Sequence, residues 1–345
     1  MPKKTIQYPF TFLDENFISS VIMHEGLNSL HALLKYSFID VHSNDVLKLA
    51  ESLLSLVQDS SSVISDEKII CEIYNWIAEL PEAAKIGFPL SYTEYLNQKV
   101  EAIAGMIEGS IEIALENGAI LDVGASDCSL VYLVGRRLNL LPYAVDIKSE
   151  LEWGQGKTNH MTNVQHVFYD GADLKSVFPK KKFAVISYNH SLHHFPSFQA
   201  QCSSLKQAVS LLDPGGVIFL SEHDNCLDDN LLAFSHLLLS LRRNIDRGNI
   251  RSSQEAVQST IFFKKECGPI NFLSGNILSW ICEELGLIPV KKQARRSGDS
   301  DVSKSYFCSF LKPEQPAARR NPSKFFDDTL VDYSSLPLMD KSVPR

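Results

Sequence analysis

Apolar positions recur every three to four residues along the first third of the chain, then gather from residue 119 onward into short runs closed by polar turns. The first spacing predicts helices over about 14–38, 44–58, 66–80 and 91–116. In the second, Asn44 stands as a cap ahead of an apolar stripe of Val46, Leu47, Leu49, Leu53, Leu54 and Val57. In the third, Asp66 precedes Ile69, Ile70, Ile73, Trp76, Ile77 and Leu80, and Pro81 stops the run. The fourth carries Tyr92, Tyr95, Leu96, Val100, Ile103, Met106 and Ile107 and ends at Asn117-Gly118. Residues 1–116 therefore read as a helical domain, a cap on the domain C-terminal to it. Its alternative use is a lid or a homodimerisation surface, with Trp76, Tyr92 and Tyr95 as contacts.

The second pattern predicts strands over 120–123, 142–146, 164–169, 183–189 and 216–221, alternating with helices. A helix over 274–285 and strands over 287–293 and 305–311 close the run. Alternation of this kind implies a parallel sheet covered on both faces. The fold class expected is α/β: a Rossmann-like doubly wound sheet with a C-terminal antiparallel hairpin strand, plus the N-terminal helical domain. The sheet domain spans 117–312 with an insertion at 225–271, whose helix runs from Asp229 to about Ile245. Residues 313–345, rich in Pro and Ser with Arg319-Arg320, read as a flexible tail.

The stretch AILDVGASDCSL (119–130) reads as a buried strand, a tight turn of small residues and a helix start. Such a turn lets main chain approach a ligand where a Cβ would block it. In a doubly wound sheet, ligands lie across the carboxyl ends of the strands. Here nearly every strand carries polar residues at that end: Asp122 and Gly124, Asp146, Asp170, Asn189 and Glu222. Asp146 follows Asp122 at about the step of 20 residues by which an acid meets a ribose diol.

These residues resemble class I S-adenosylmethionine-dependent methyltransferases over about 118–312. LDVGASDCSL resembles their first motif, and YAVDIKSE the ribose-binding second strand. FAVISYNHSLHHFPSF is similar to the segment after strand four, and LLDPGGVIFLSEHD to the entry into strand five. The second and third glycines of the first motif are Ser126 and Cys128 here. The resemblance implies S-adenosylmethionine as cofactor. It places Gly124, Ala125 and Ser126 beside the methionine part, with Asp122 orienting the amine. It puts Asp146 with Ile147 at the ribose, Asp170 and Gly171 at the adenine, and Asn189 over the methionine from the strand-four side.

Methyl transfer from a sulfonium is an in-line displacement, so a base is needed only where the acceptor must lose a proton. His193, His194 and His223, with Glu222, cluster beyond strands four and five and are the catalytic candidates; His190 and Asp224 lie beside them. Strand four ends in SYNH, without the Pro-Pro-Tyr, Pro-Cys or Asp–Lys arrangements of three nucleic-acid-modifying subclasses. The insertion ends its helix in Arg242, Arg243 and Arg247, with Arg251, Lys264 and Lys265 following. Those cations read as a solvated helix end or as an anion-recognition rim.

Charge narrows the partners. The chain carries a net −8, and the first 116 residues hold 17 Asp+Glu against 7 Lys+Arg, leaving the remainder near neutral. Generic nucleic-acid binding is disfavoured. No run nears the roughly 18 apolar residues of a membrane span, no secretory h-region opens the chain, and the 7 cysteines are scattered without CxxC. A cytoplasmic protein without a metal site or membrane contact is expected. The preferred acceptor is a small molecule methylated on oxygen or nitrogen. An RNA methyltransferase of the cap guanine-N7 type is the alternative, and a non-catalytic subunit of the same fold is the third reading.

Overall fold

The computed structural model describes residues 14–38, 41–59, 64–81, 92–108, 118–147, 163–223, 229–246, 248–267, 270–294, 305–314 and 330–331. Its elements begin with α1 (Phe17–Ser37), α2 (Ser43–Gln58), α3 (Asp66–Glu79) and α4 (Tyr92–Glu108). Then come β1 (Ala119–Val123), α5 (Ser129–Leu138), β2 (Leu141–Asp146), β3 (Gln165–Phe168), α6 (Leu174–Val177) and β4 (Phe183–Asn189). Beyond a 3-10 turn at Leu192–His194 lie α7 (Phe198–Leu211), β5 (Leu212–His223), α8 (Asp229–Asp246) and α9 (Ser253–Cys267). The last are α10 (Gly275–Glu284), β6 (Ile288–Ala294), β7 (Ser305–Leu311) and β8 (Leu330–Val331). The chain divides into two compact units, one from 1–88 with 227–270, the other from 89–226, 271–298 and 304–345.

The first unit is helical. Phe17, Leu33 and Leu34 of α1, Leu49 and Leu53 of α2, and Ile69 and Ile73 of α3 share one core with Phe234, Leu238 and Leu241 of α8 and Ala256 of α9. The apolar stripe of the insertion is therefore buried by the N-terminal helices. Helix α9 was not expected from sequence, although Ala256, Thr260 and Lys264 recur every four residues and are buried along one face. One polar junction sets the arrangement. Asp66 Oδ1 accepts the N–H groups of Ile18 (2.8 Å) and Ser19 (3.3 Å) at the open start of α1. Its Oδ2 accepts from Lys264 Nζ at 2.9 Å, and Lys264 also donates to Asp14 O at 2.6 Å. Burial raises the Asp66 pKa even against that cation. Within α1, Gly26 kinks the helix at φ 71°, ψ 179°, a conformation only glycine takes readily. Helix α2 starts at Ser43 with His42 as N-cap rather than at Asn44, because His42 O already accepts from Asp45 N and Val46 N.

The second unit is built on one sheet of order β3-β2-β1-β4-β5-β7-β6-β8. Strands β1 to β5 pair in parallel, and β7 runs antiparallel between β5 and β6. The expected C-terminal hairpin strand is thus present. All five β1 residues are buried. Leu121 and Val123 join Ile186, Tyr188 and Leu205 in one core, and Ile120 joins Val185, Phe219 and Phe307 in another. Val100, Ile103 and Ile107 of α4 complete that second core with Val131 and Val134 of α5. Outside it, Arg137 pairs with Glu101 (3.0 Å) and Glu108 (2.7 Å). Helix α4 therefore belongs with the sheet, and the boundary expected near 116 lies before it. The stretch 109–117 of the expected long helix is outside the described residues.

Strand β5 is longer than the expected 216–221, because its Pro-Gly-Gly entry continues the ladder: Lys312 and Gly215–Gly216 exchange main-chain hydrogen bonds. Just before β4, Lys182 reaches the last turn of α7 at Ser210 O, where Lys312 Nζ donates to Val209 O and Leu212 O. Part of the expected tail forms β8, parallel to β6 through Lys292 and Leu330; most of the remainder lies outside the described residues. Among the described residues no helix is long and apolar enough to cross a membrane.

Candidate active site

Because β1 to β5 are mutually parallel, their carboxyl ends fall along one edge of the sheet, and the expected polar residues meet there in pairs. At the end of β1, Asp122 is 2% exposed and accepts from Ser187 Oγ at 2.7 Å and Asn189 Nδ2 at 2.9 Å. Burial pushes its pKa up to about 6 against those two donors and Lys99 of α4. The Oδ1 of Asn189 is buried and has no hydrogen-bond partner among the described residues. A buried acceptor left in that condition costs free energy unless a ligand supplies a donor.

The turn after β1 is held from two sides. Gly124 N and Ala125 N both donate to Val145 O of β2, at 2.8 and 3.2 Å, and Ser126 N donates to Asp146 Oδ2 at 2.9 Å. Gly124 has φ 77°, and a Cβ there would lie 2.5 Å from Ser191 Cβ, so no other residue fits. Ser126 and Cys128 take left-handed φ of 52° and 59°. The turn thus keeps a glycine geometry at two positions that carry side chains. Cys128 precedes α5 as its N-cap, and Asp127 Oδ1 accepts from Ser129 N at 3.1 Å.

Toward the sheet edge, Asp146 is buried while Ile147 beside it is 59% exposed. Asp170 is exposed, and its Oδ1 accepts from Ala172 N at 2.9 Å, turning the chain at Gly171 with φ 86°. On the other side, His193 Nδ1 and Glu222 Oε2 lie 2.5 Å apart, and Glu222 Oε1 accepts from Leu192 N at 2.9 Å. Burial lowers the His193 pKa to about 3 and raises that of Glu222 to about 8. The pair consequently carries no net charge near neutrality. His223 is buried with Nδ1 3.1 Å from Ser305 Oγ, and His194 is exposed with its ring 4.2 Å from that of His193. His190, at φ 54°, sets its Nε2 2.9 Å from Ser221 Oγ and its ring 4.8 Å from His223. Asp224 lies outside the described residues. No group of three or more His, Cys, Asp or Glu side chains among the described residues could hold a metal ion.

The structure thus joins Asp122 to Asn189, Ser126 to Asp146 and His193 to Glu222, while Asp170 and Gly171 form a separate turn. Sequence reasoning missed Ser187, Ser191, Gln201, Asn271 and Phe272. Of these, Ser191 stands nearest to a readable signal, as a small residue just past the strand-four tip; the others follow no pattern that periodicity reveals. The residues fit a nucleoside that carries an amino group: an unmet acceptor at Asn189, a buried carboxylate beside it, and a second carboxylate at the next strand tip.

A family described as a methyltransferase domain matches residues 97–292. Among solved structures, the chain is similar to the CcbJ methyltransferase from Streptomyces caelestis at 15% identity and TM-score 0.42, over 71% of this chain and 96% of that one. It is similar to the magnesium protoporphyrin IX methyltransferase from Synechocystis PCC 6803 with bound SAH, at 15% identity and TM-score 0.40, over 72% and 100%. It is also similar to the N-methyltransferase NodS from Bradyrhizobium japonicum WM9, at 11% identity and TM-score 0.39, over 65% and 100%. No curated protein matches the chain.

Proposed function

The chain belongs to the methyltransferase-domain family and is an S-adenosylmethionine-dependent enzyme; we propose that it methylates a small molecule on oxygen or nitrogen. The donor, when bound, supplies an electrophilic methyl on its sulfonium. The unmet Oδ1 of Asn189 is the observation that carries the placement of that donor. Asn189 and Asp122 would take the ammonium of its methionine end, beside the turn of Gly124, Ala125 and Ser126. Asp146 would accept from the ribose hydroxyls with Ile147 alongside, and Asp170 with Gly171 would flank the adenine.

What remains for the protein is orientation and, where needed, removal of a proton. His193 is sealed against Glu222 and kept neutral by burial, so it would hold the loop rather than take a proton. His223 is likewise buried. The acceptor that asks least of such a site already bears its lone pair, either a neutral amine nitrogen or an ionised oxygen. Within the helical unit, Arg242 lies over the Phe38 ring at 5.7 Å and Lys264 is committed to Asp66. Two of the basic residues of the insertion are thereby withdrawn from an anion rim, which favours a small acceptor over RNA.

Calorimetry with S-adenosylhomocysteine and, separately, with a capped RNA oligonucleotide tests both parts. Micromolar binding of the nucleoside with RNA affinity weak and unselective at all salt concentrations is the expected result. Tight RNA binding with a steep salt slope would replace the small-molecule reading.

A further inference from the structure

Gln201 of α7 is fully buried, and its Nε2 donates to two main-chain carbonyls, Leu192 O at 3.0 Å and Asn271 O at 2.7 Å. Asn271 stands where the chain re-enters the sheet unit after residues 227–270. Its N–H donates to His193 O at 2.8 Å and its Nδ2 to Phe195 O at 2.8 Å. The next residue, Phe272, stacks its ring on His193 at 5.2 Å and 29°. From β5, Glu222 holds Leu192 N and His193 Nδ1. The loop after β4 is therefore gripped at Leu192, His193 and Phe195 from three places: α7, β5 and the segment at 271–272.

That loop starts at the donor end of the sheet. Ser191 donates through Oγ to Val123 O at 2.5 Å and fills the space over Gly124, while Asn189, two residues earlier, meets Asp122. A loop fastened at 192–195 fixes where Ser191 and Asn189 stand. If it slackened, the acceptor atoms at the tips of β1 and β4 would lose their register.

We propose that Gln201 is a positioning residue of the donor site, forming with Asn271 a clasp that holds the loop 190–195 against the ends of β1 and β4. The proposal rests on the reading that Asp122, Gly124 and Asn189 hold the methyl donor. Gln201 acts through the loop, by way of hydrogen bonds to main chain, and is not a catalytic residue.

The test uses the full chain. Gln201→Met keeps the buried volume and removes both donations; Asn271→Ala removes only the bond to Phe195 O and keeps both main-chain bonds. S-adenosylhomocysteine affinity is measured by calorimetry, and the ring nitrogens of His193 by histidine-selective 15N spectra of the same samples. Gln201→Met should bind about tenfold more weakly, as expected for the loss of about 1.4 kcal/mol of hydrogen bonding, with the His193 signals displaced. Asn271→Ala should bind about threefold more weakly with a smaller displacement, and it carries the test if Gln201→Met does not fold. Affinity within twofold of wild type alongside displaced His193 signals overturns the clasp, as does weakened affinity with those signals unmoved. A wild-type chain that fails to bind S-adenosylhomocysteine overturns the donor reading itself, and the clasp with it.

Discussion

The main-chain N–H of Ser126 donates to Oδ2 of Asp146 at 2.9 Å, so the carboxylate that ends β2 also holds the turn that ends β1. Asp146 thus has a local partner in the protein before any ligand arrives, and its two possible roles separate under substitution.

Asp146→Asn leaves an oxygen for Ser126 but removes the negative charge, whereas Asp146→Ala removes both acceptors. Calorimetry with S-adenosylhomocysteine should show the Ala variant weakened by about 1–3 kcal/mol, with Asn between it and wild type. Unchanged affinity in the Ala variant would take Asp146 out of the ribose site.

The left-handed φ of Ser126 costs a non-glycine residue about 1–2 kcal/mol, and the side chain is exposed. Ser126→Gly relieves that strain but adds about 0.4–1 kcal/mol of freedom to the unfolded chain. A net gain of up to about 1 kcal/mol in urea unfolding is expected. Cys128→Gly gains the same relief but deletes a fully buried side chain, and should destabilise. A loss from both would mean that the turn stores no strain.

The His193–Glu222 pair gives a pH signature. Folded Glu222 keeps its proton up to about pH 8, against 4.5 for the ordinary group, and folded His193 stays unprotonated down to about 3, against 6.5. Between pH 4.5 and 6.5 the two effects offset each other. From 6.5 to 8 the folded state retains a proton that the unfolded chain has lost, so stability falls as pH rises. The urea midpoint should decline across that window in wild type and stay flatter in Glu222→Gln. An equal slope in both would remove Glu222 as the source.

Asp66→Ala leaves Lys264 buried without its carboxylate and exposes two unmet N–H groups at the start of α1. A loss of about 3–5 kcal/mol is expected in the helical unit, with faster amide exchange at Ile18 and Ser19. Lys264→Met removes the cation but keeps the cap, and should cost less. If Lys264→Met proves the more damaging of the two, the carboxylate is not the centre of this junction.

The positions of the strands along the chain and the polar residues at their ends were legible because buried parallel strands are short apolar runs whose polarity returns at the tips. Asp122, Gly124, Asp146 and Asn189 needed only that pattern. The boundary before α4 was not legible, since an amphipathic stripe says that a helix is buried and not against what; Val100 and Ile103 suit a sheet as well as a bundle. Helix α9 escaped because its charged and polar residues, from Gln254 to Lys265, blur a narrow stripe. Gln201 and Asn271 were invisible for a different reason: the atoms they engage are main-chain carbonyls, which leave no trace in residue type.

Two of the contacts that Asn271 makes, its N–H to His193 and its carbonyl from Gln201, belong to the backbone, so they depend on where the peptide sits and not on the side chain at 271. Exchanging the side chain at 271 costs one of its three bonds, whereas a one-residue insertion or deletion just upstream would slide the peptide past its anchors. Length variation accommodated inside 227–270 must therefore end in phase, delivering the same peptide group to the same carbonyl.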